Sequence, residues 1–149
     1  YLDIISELIN LIFKIMEKIT DVLKIIDWTR IKARIHISDS QLFPYKREIW
    51  WANLSQNVGV EINSKNNKFE RPVLVICVFN IHSLLIAPIT STVSDKKFIV
   101  SFINNNSEIN SINISQLRTI STKRLFRKIS DLSETDFERI TDMIKENVL

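Results

Sequence analysis

"NKFERPVLVICVFN", residues 67–80, sets a charged pair, Glu70 and Arg71, directly against Pro72, and Pro72 opens an apolar run from Val73 to Phe79. A short apolar run rich in β-branched residues reads as a buried β-strand. Proline has no N–H and belongs at the first residue of a strand or on an edge. Arg71 therefore stands at the strand's mouth, anchored by the buried run behind it. Taken alone, such an arginine is most often a solvated strand-end charge. Cys77, in mid-run, reads as a small buried hydrophobe.

Working outward, the flanks repeat the strand signal. "REIWWANL" (47–54) carries bulky β-formers, "LLIAPI" (84–89) is a second apolar run, and "KKFIVSFI" (96–103) partly alternates. "INSINISQLRTI" (109–120) alternates Ile109, Ile112 and Ile114 with polar residues, then shifts phase to Leu117 and Ile120. Trp50 and Trp51 should point to opposite faces, one ring buried and the other near the surface. Several short strands at close spacing predict a small β-barrel or strongly bent sheet. Ser133 reads as an N-cap with Asp136 in the first turn, and Phe137, Ile140, Met143, Ile144 and Val148 give one apolar face of a closing helix.

Before this region the pattern is helical. Tyr1, Ile5, Leu8, Ile12, Ile15, Ile19, Val22 and Ile26 recur with alternating steps of four and three, and further apolar rows widen the seam beyond what a two-stranded pairing requires. Such a face predicts a helix that covers the rest of the chain, associates with another copy, or lies on a membrane surface. Packing or self-association is preferred to an autoinhibitory role, because Lys14, Lys18 and Lys24 are mixed with the acids. Asp27 is a candidate cap for a second short helix, and "SDSQLFPY" (38–45) reads as a linker. The predicted organisation is a helical extension and linker over 1–44 and a barrel domain over 45–149.

Composition narrows the function classes. The chain has 149 residues, 45% hydrophobic and 25% charged, with a net charge of +3. Five cations, Arg118, Lys123, Arg124, Arg127 and Lys128, fall within eleven positions. One cysteine excludes an internal disulfide framework and a Cys-based zinc site. No phosphate-cradling glycine loop, metal-ligand cluster or nucleophile elbow is present. No cofactor and no metal are expected. His82 reads as a turn or edge residue. No apolar stretch is suited to spanning a membrane and no signal peptide is evident, so a cytoplasmic protein is expected. Gly59 is the only glycine, where an average usage of roughly 7% would give about ten, so it marks a positive φ or a close backbone approach.

"REIWWANLSQNVGVE", "ERPVLVICVFN", "APITS", "ISQLRTI" and "KRLFRKIS" resemble, in order and spacing, the PemK/MazF family of endoribonuclease toxins, over about residues 46–149. The resemblance implies an SH3-like β-barrel with a C-terminal helix, to which this chain adds the N-terminal amphipathic helix. It implies a homodimer, a cognate antitoxin as partner, and single-stranded RNA as substrate. Cleavage in the family is metal-free, with the RNA's own 2′-hydroxyl attacking the adjacent phosphate. Carried over residue by residue, the family's Gly-x-Glu falls on Gly59-Val60-Glu61, its Arg-Pro on Arg71-Pro72, its Pro-x-Thr on Pro88-Ile89-Thr90, and its Gln on Gln116. Arg71 and Thr90 would be the catalytic pair. Arg71 would clamp phosphate oxygens and stabilise developing negative charge. Glu61 would act as base or order its loop.

Ser91, Asn80, Gln116, Arg118, Lys123, Arg124 and Arg127 are the expected RNA contacts. The chain departs from the family pattern at Ile62, which follows Glu61, at Asn113 and Ser115, where some members carry an Arg and an Asp, and at Ser130, where a glycine is common. The alternatives are a non-enzymatic toxin of the related CcdB fold, which poisons gyrase by protein contact, and an attenuated MazF-like binding or regulatory protein.

Overall fold

The computed structural model describes residues 2–64, 66, 68–104 and 106–148. Tyr1, which opens the heptad series, and Asn67, which opens the quoted stretch, lie outside them. The chain divides into two compact units, one ending at Ile37 and the other running from Ser38 onward.

The first unit is a single helix, α1 (Leu2–Ile37). The expected break at Asp27 does not occur. No glycine or proline stands before Pro44 to stop the helix. The Asp27 carboxylate instead meets Arg30 one turn on, at 3.4 Å. Among the described residues no helix is long and apolar enough to cross a membrane.

The second unit contains β1 (Glu48–Asn53), β2 (Glu70–Asn80), β3 (Ser83–Thr90), β4 (Ile99–Ile103), β5 (Ile109–Asn113), β6 (Arg118–Ser121), β7 (Leu125–Asp131) and α2 (Glu134–Asn147). The strands form one antiparallel sheet in the order β4-β5-β3-β2-β1-β7, with β6 also on β3. Along one edge of β3, β6 pairs with Ser83–Ile86 and β5 with Ile89–Thr90. Among the described residues nothing pairs β4 with β7, so the sheet is bent but not closed, and "barrel" describes it loosely.

β2 and β3 are buried on both faces, which explains their unbroken apolar runs. Val73, Val75, Leu84 and Ile86 enter one core with Trp50, Leu54, Ile120 and Leu125. Leu74, Ala87 and Ile89 enter the other with Val100, Phe102, Ile112 and the α2 residues Ile140 and Ile144. The phase shift after Ile114 is a 3-10 turn over Ile114–Gln116, its N-terminus capped by the Asn113 side chain, which accepts from the Ser115 N–H. Ser133 caps α2 as expected, its Oγ accepting from the Asp136 N–H at 3.1 Å. Trp50 is buried, while Trp51 lies under the Arg127 guanidinium, 5.8 Å from the ring centroid.

One further expectation changes, and one strand is added. Cys77 is exposed, because β2 runs beyond the core and its pairing with β3 shifts register between Val75 and Cys77. β7, carried by the basic "LFRKISD" segment, is a strand that alternation does not reveal. Beyond Leu125 its side chains are largely exposed, as suits an edge strand blunted by charge.

Glu48 ties the start of this unit together. Its buried carboxylate accepts from the Tyr45 N–H (2.8 Å), the Trp50 Nε1–H (2.8 Å) and Lys128 Nζ (2.7 Å). Burial alone would raise its pKa, but the bonds from Lys128, Tyr45 and Trp50 together hold it below its ordinary value of 4.5. A carboxylate depressed on folding stabilises the native state above its unfolded pKa and loses that contribution as pH falls through the folded value. Glu48→Ala orphans the buried Trp50 Nε1–H and the half-buried Tyr45 N–H, and should cost about 2 kcal/mol in urea unfolding at pH 7. Between pH 5 and pH 3 the wild type should lose more stability than Glu48→Ala; equal losses would show that Glu48 does not carry the acid dependence.

Candidate functional site

The long loop between β1 and β2, the start of β2, the end of β3 and the 3-10 turn at 114–116 converge at one end of the sheet. Arg71 is their common link. It pairs with Ala52 in the β1–β2 ladder and is only 7% exposed. Its Nε donates to the Asn63 carbonyl at 2.6 Å, and its Nη1 donates to the Ile89 carbonyl at 3.1 Å. Burial lowers its pKa, yet a guanidinium remains the cation through the neutral range. No buried side-chain nitrogen or oxygen among the described residues lacks a partner. Arg71 is thus not the solvated strand-end charge of the bland reading, nor a wholly free clamp. Two backbone carbonyls fix its plane, and the remaining donors are those of Nη2 and one hydrogen of Nη1.

Ile89 immediately precedes Thr90, so the Arg71–Ile89 bond brings the guanidinium to within one peptide of the Thr90 hydroxyl. Thr90 Oγ1 accepts from the Thr92 N–H at 3.2 Å. Ser91 follows at the strand exit and is exposed.

Glu61 sits on the loop, exposed, with its Oε2 3.5 Å from the Val58 N–H. Gln116 latches this loop from across the site. Its Oε1 accepts from the Ile62 N–H at 3.2 Å and its Nε2 donates to the Val60 carbonyl at 3.5 Å, so it grips the backbone on both sides of Glu61. Gly59 has φ +59°, and a Cβ there would meet nothing within 4 Å. It is needed for its backbone angle, not for close approach. Ser55 (φ 109°) and Phe69 (φ 59°) bound the loop in a region that side-chain-bearing residues rarely occupy. Asparagines brace the loop from inside: Asn63 Oδ1 accepts from the Asn57 N–H at 2.6 Å, and Asn57 Nδ2 donates to the Ile62 carbonyl at 2.7 Å. Nothing periodic in the sequence singles out Asn57 and Asn63. The signal was there, in a glycine-poor loop rich in Asn, a residue that hydrogen-bonds its neighbouring backbone.

The predicted cations separate. Arg124 Nη1 donates to the carbonyl of Asn53, whose β2 partner is Glu70, so it belongs to the Arg71 end. Burial, and the like charge of Arg118, lower its pKa. Arg127 stacks on Trp51, and Lys128 binds Glu48 and Asp131. Asn80 lies at the far end of β2, where its Oδ1 accepts from the His82 N–H at 2.8 Å and from the Ser83 hydroxyl at 3.2 Å. Nine residues of strand, about 30 Å, separate it from Arg71. His82 is in that turn, as expected.

Gln116→Ala should loosen the latch without unfolding the core. Amide exchange at Ile62 should quicken at least about tenfold, equivalent to one hydrogen bond of roughly 1 kcal/mol or more, while Val73 and Ile86 remain protected. Unchanged exchange at Ile62 would mean the loop holds itself.

The model of PemK-like, MazF-like toxins of type II toxin–antitoxin systems matches residues 45–148. A search of curated proteins finds no match to this chain. Among solved structures, MazF from Deinococcus radiodurans superposes with a TM-score of 0.60 at 15% identity, covering 70% of this chain and 96% of that one. The Mycobacterium tuberculosis toxin MazF-mt6 gives 0.52 at 22% identity, covering 67% and 94%. An endoribonuclease in complex with its cognate antitoxin, from a mycobacterial species, gives 0.53 at 10% identity, covering 70% and 93%. Identities this low establish a shared fold. With the family model matching from Tyr45 to Val148, the chain belongs to the PemK-like, MazF-like toxin family of type II toxin–antitoxin systems.

Proposed function

We propose that this toxin is an endoribonuclease that cleaves single-stranded RNA without a metal, and that a cognate antitoxin silences it. The observation that carries this reading is the 3.1 Å bond from Arg71 Nη1 to the Ile89 carbonyl, which holds a cation beside Thr90 at the end of two rigid strands. In the proposed reaction Glu61 takes the proton from the RNA 2′-hydroxyl. The oxygen attacks the adjacent phosphorus, the P–O5′ bond breaks, and the departing 5′-oxygen takes a proton from solvent water, so the upstream product ends in a cyclic phosphate. The Arg71 donors not held by the two carbonyls stabilise charge on the phosphoryl oxygens, and the Thr90 hydroxyl donates to the same group. Gln116 positions Glu61 through the loop. Arg124, whose pKa is lowered by burial and then by the like charge of Arg118, would gain from an RNA phosphate beside it. The copy number is proposed as a dimer of barrel units, with the antitoxin covering the RNA groove.

A binding-only toxin is the second reading. It is favoured by the two carbonyls that already hold Arg71, and by Asn113 and Ser115, whose side chains bond each other at 2.7 Å.

Purified protein incubated with a long RNA in EDTA should cut at short single-stranded sites and leave cyclic phosphate ends. Cleavage abolished by EDTA and restored by magnesium would overturn the mechanism, and intact RNA would favour binding alone. Arg71→Lys should lower the rate at least about 100-fold, since lysine keeps the charge but loses the fork. Thr90→Val, which leaves Arg71 and its carbonyl bonds in place, should be a milder lesion.

RNA affinity should fall with salt, and Arg118→Gln and Lys123→Gln should each lower the log–log slope by roughly 0.7. Slopes equal to wild type would remove both residues from the RNA path.

A further inference from the structure

α1 carries an apolar surface that the toxin reading does not use. Fourteen large apolar side chains between Ile4 and Ile26 are 46–69% exposed. They run for about 33 Å of helix. Contiguous apolar surface of this extent is rare on soluble monomers and marks an interaction site.

The surface has a register. In heptad terms, isoleucine stands at every a position, Ile5, Ile12, Ile19 and Ile26, and the d, e and g positions are apolar as well, but for Lys18 at g. A two-stranded coiled coil buries a and d and keeps e and g charged. With e and g apolar too, one partner covers only the middle of the stripe, and each helix needs a neighbour on both flanks.

Charge identifies the neighbour. Over the same stretch three carboxylates stand against three lysines, which leaves no cationic face for anionic lipid. Along the axis the charges segregate. Asp3 and Glu7 occupy the first two turns, and Arg30, Lys32 and Arg34 the last two. A second α1 running the opposite way sets acidic end against basic end and aligns the helix dipoles favourably.

We propose that α1 is a homotypic assembly helix. Residues 4–26 pack antiparallel against the same helix of other copies of this chain, in a bundle of more than two helices. The proposal does not rest on RNA cleavage.

The full-length chain, run through size exclusion with light scattering in buffer free of lipid and detergent, should give a mass of three chains or more. The double variant Ile12→Glu, Ile19→Glu should fall to two chains or fewer, with the Trp50 near-UV signal of the second unit retained. Asn10→Ala with Glu17→Ala, on the polar face, should keep the wild-type mass. A wild-type mass of one or two chains would overturn the proposal. So would a double variant with undiminished mass, or wild type that floats as a monomer with phosphatidylcholine vesicles.

Orientation is read separately in a Cys77→Ser background. Ile15→Cys, near the midpoint of the stripe, should cross-link to its copy on mild oxidation, and Ile5→Cys should not. Cross-linking at position 5 without cross-linking at position 15 would overturn the antiparallel arrangement.

Discussion

Val73, Val75, Leu84 and Ile86 leave the β2–β3 pair on one side, and Leu74, Ala87 and Ile89 leave it on the other. Both faces of this hairpin must be covered, and the remainder of the second unit is arranged to cover them. Face one receives Trp50, Ile120 and Leu125 from strands that bend over it, and Leu54 from the loop after β1. The other receives β4, β5 and α2. A flat sheet could not do this with seven short strands. The bend, the phase shift at Ile114 and the bulged β1–β7 pairing are consequences of wrapping one doubly buried pair.

The same constraint positions the site. Because β2 and β3 are held on both faces, their ends are rigid, and Arg71 and Ile89–Thr90 are placed by the core rather than by the loop. The loop is then fastened to these fixed points through the Asn63 carbonyl and through Gln116. Preorganisation of this kind lets donors stabilise developing charge without reorganising. The local geometry that goes with it is strained: Ser55 and Phe69 hold positive φ at the loop's ends.

Two buried charges differ in kind. Glu48 receives three hydrogen bonds and has a cation partner, so it fixes the junction between the linker and β1. Among the described residues Arg71 has two carbonyl partners and no carboxylate partner, so its positive charge is held in place without being neutralised. A buried cation oriented by dipoles is suited to an anionic ligand, whereas a neutralised pair is suited to holding the fold.

Local pattern by itself determined the elements whose signal is periodic or chemical: the heptad helix, the apolar strands opened by Pro72, the Ser133 cap, the positive φ at Gly59 and the family motifs around Arg71, Thr90 and Gln116. Each depends on neighbours close in sequence. Other features were decided only by tertiary structure. Cys77 is exposed, because burial along β2 ends where the core ends. β7 is a strand, because β1 offers it an open edge. Gln116 holds a loop more than fifty residues away, and Arg71 is oriented by the carbonyl of Ile89, eighteen residues on. These long-range hydrogen bonds leave no periodic trace in the chain, since one partner in each is a backbone group that every residue carries.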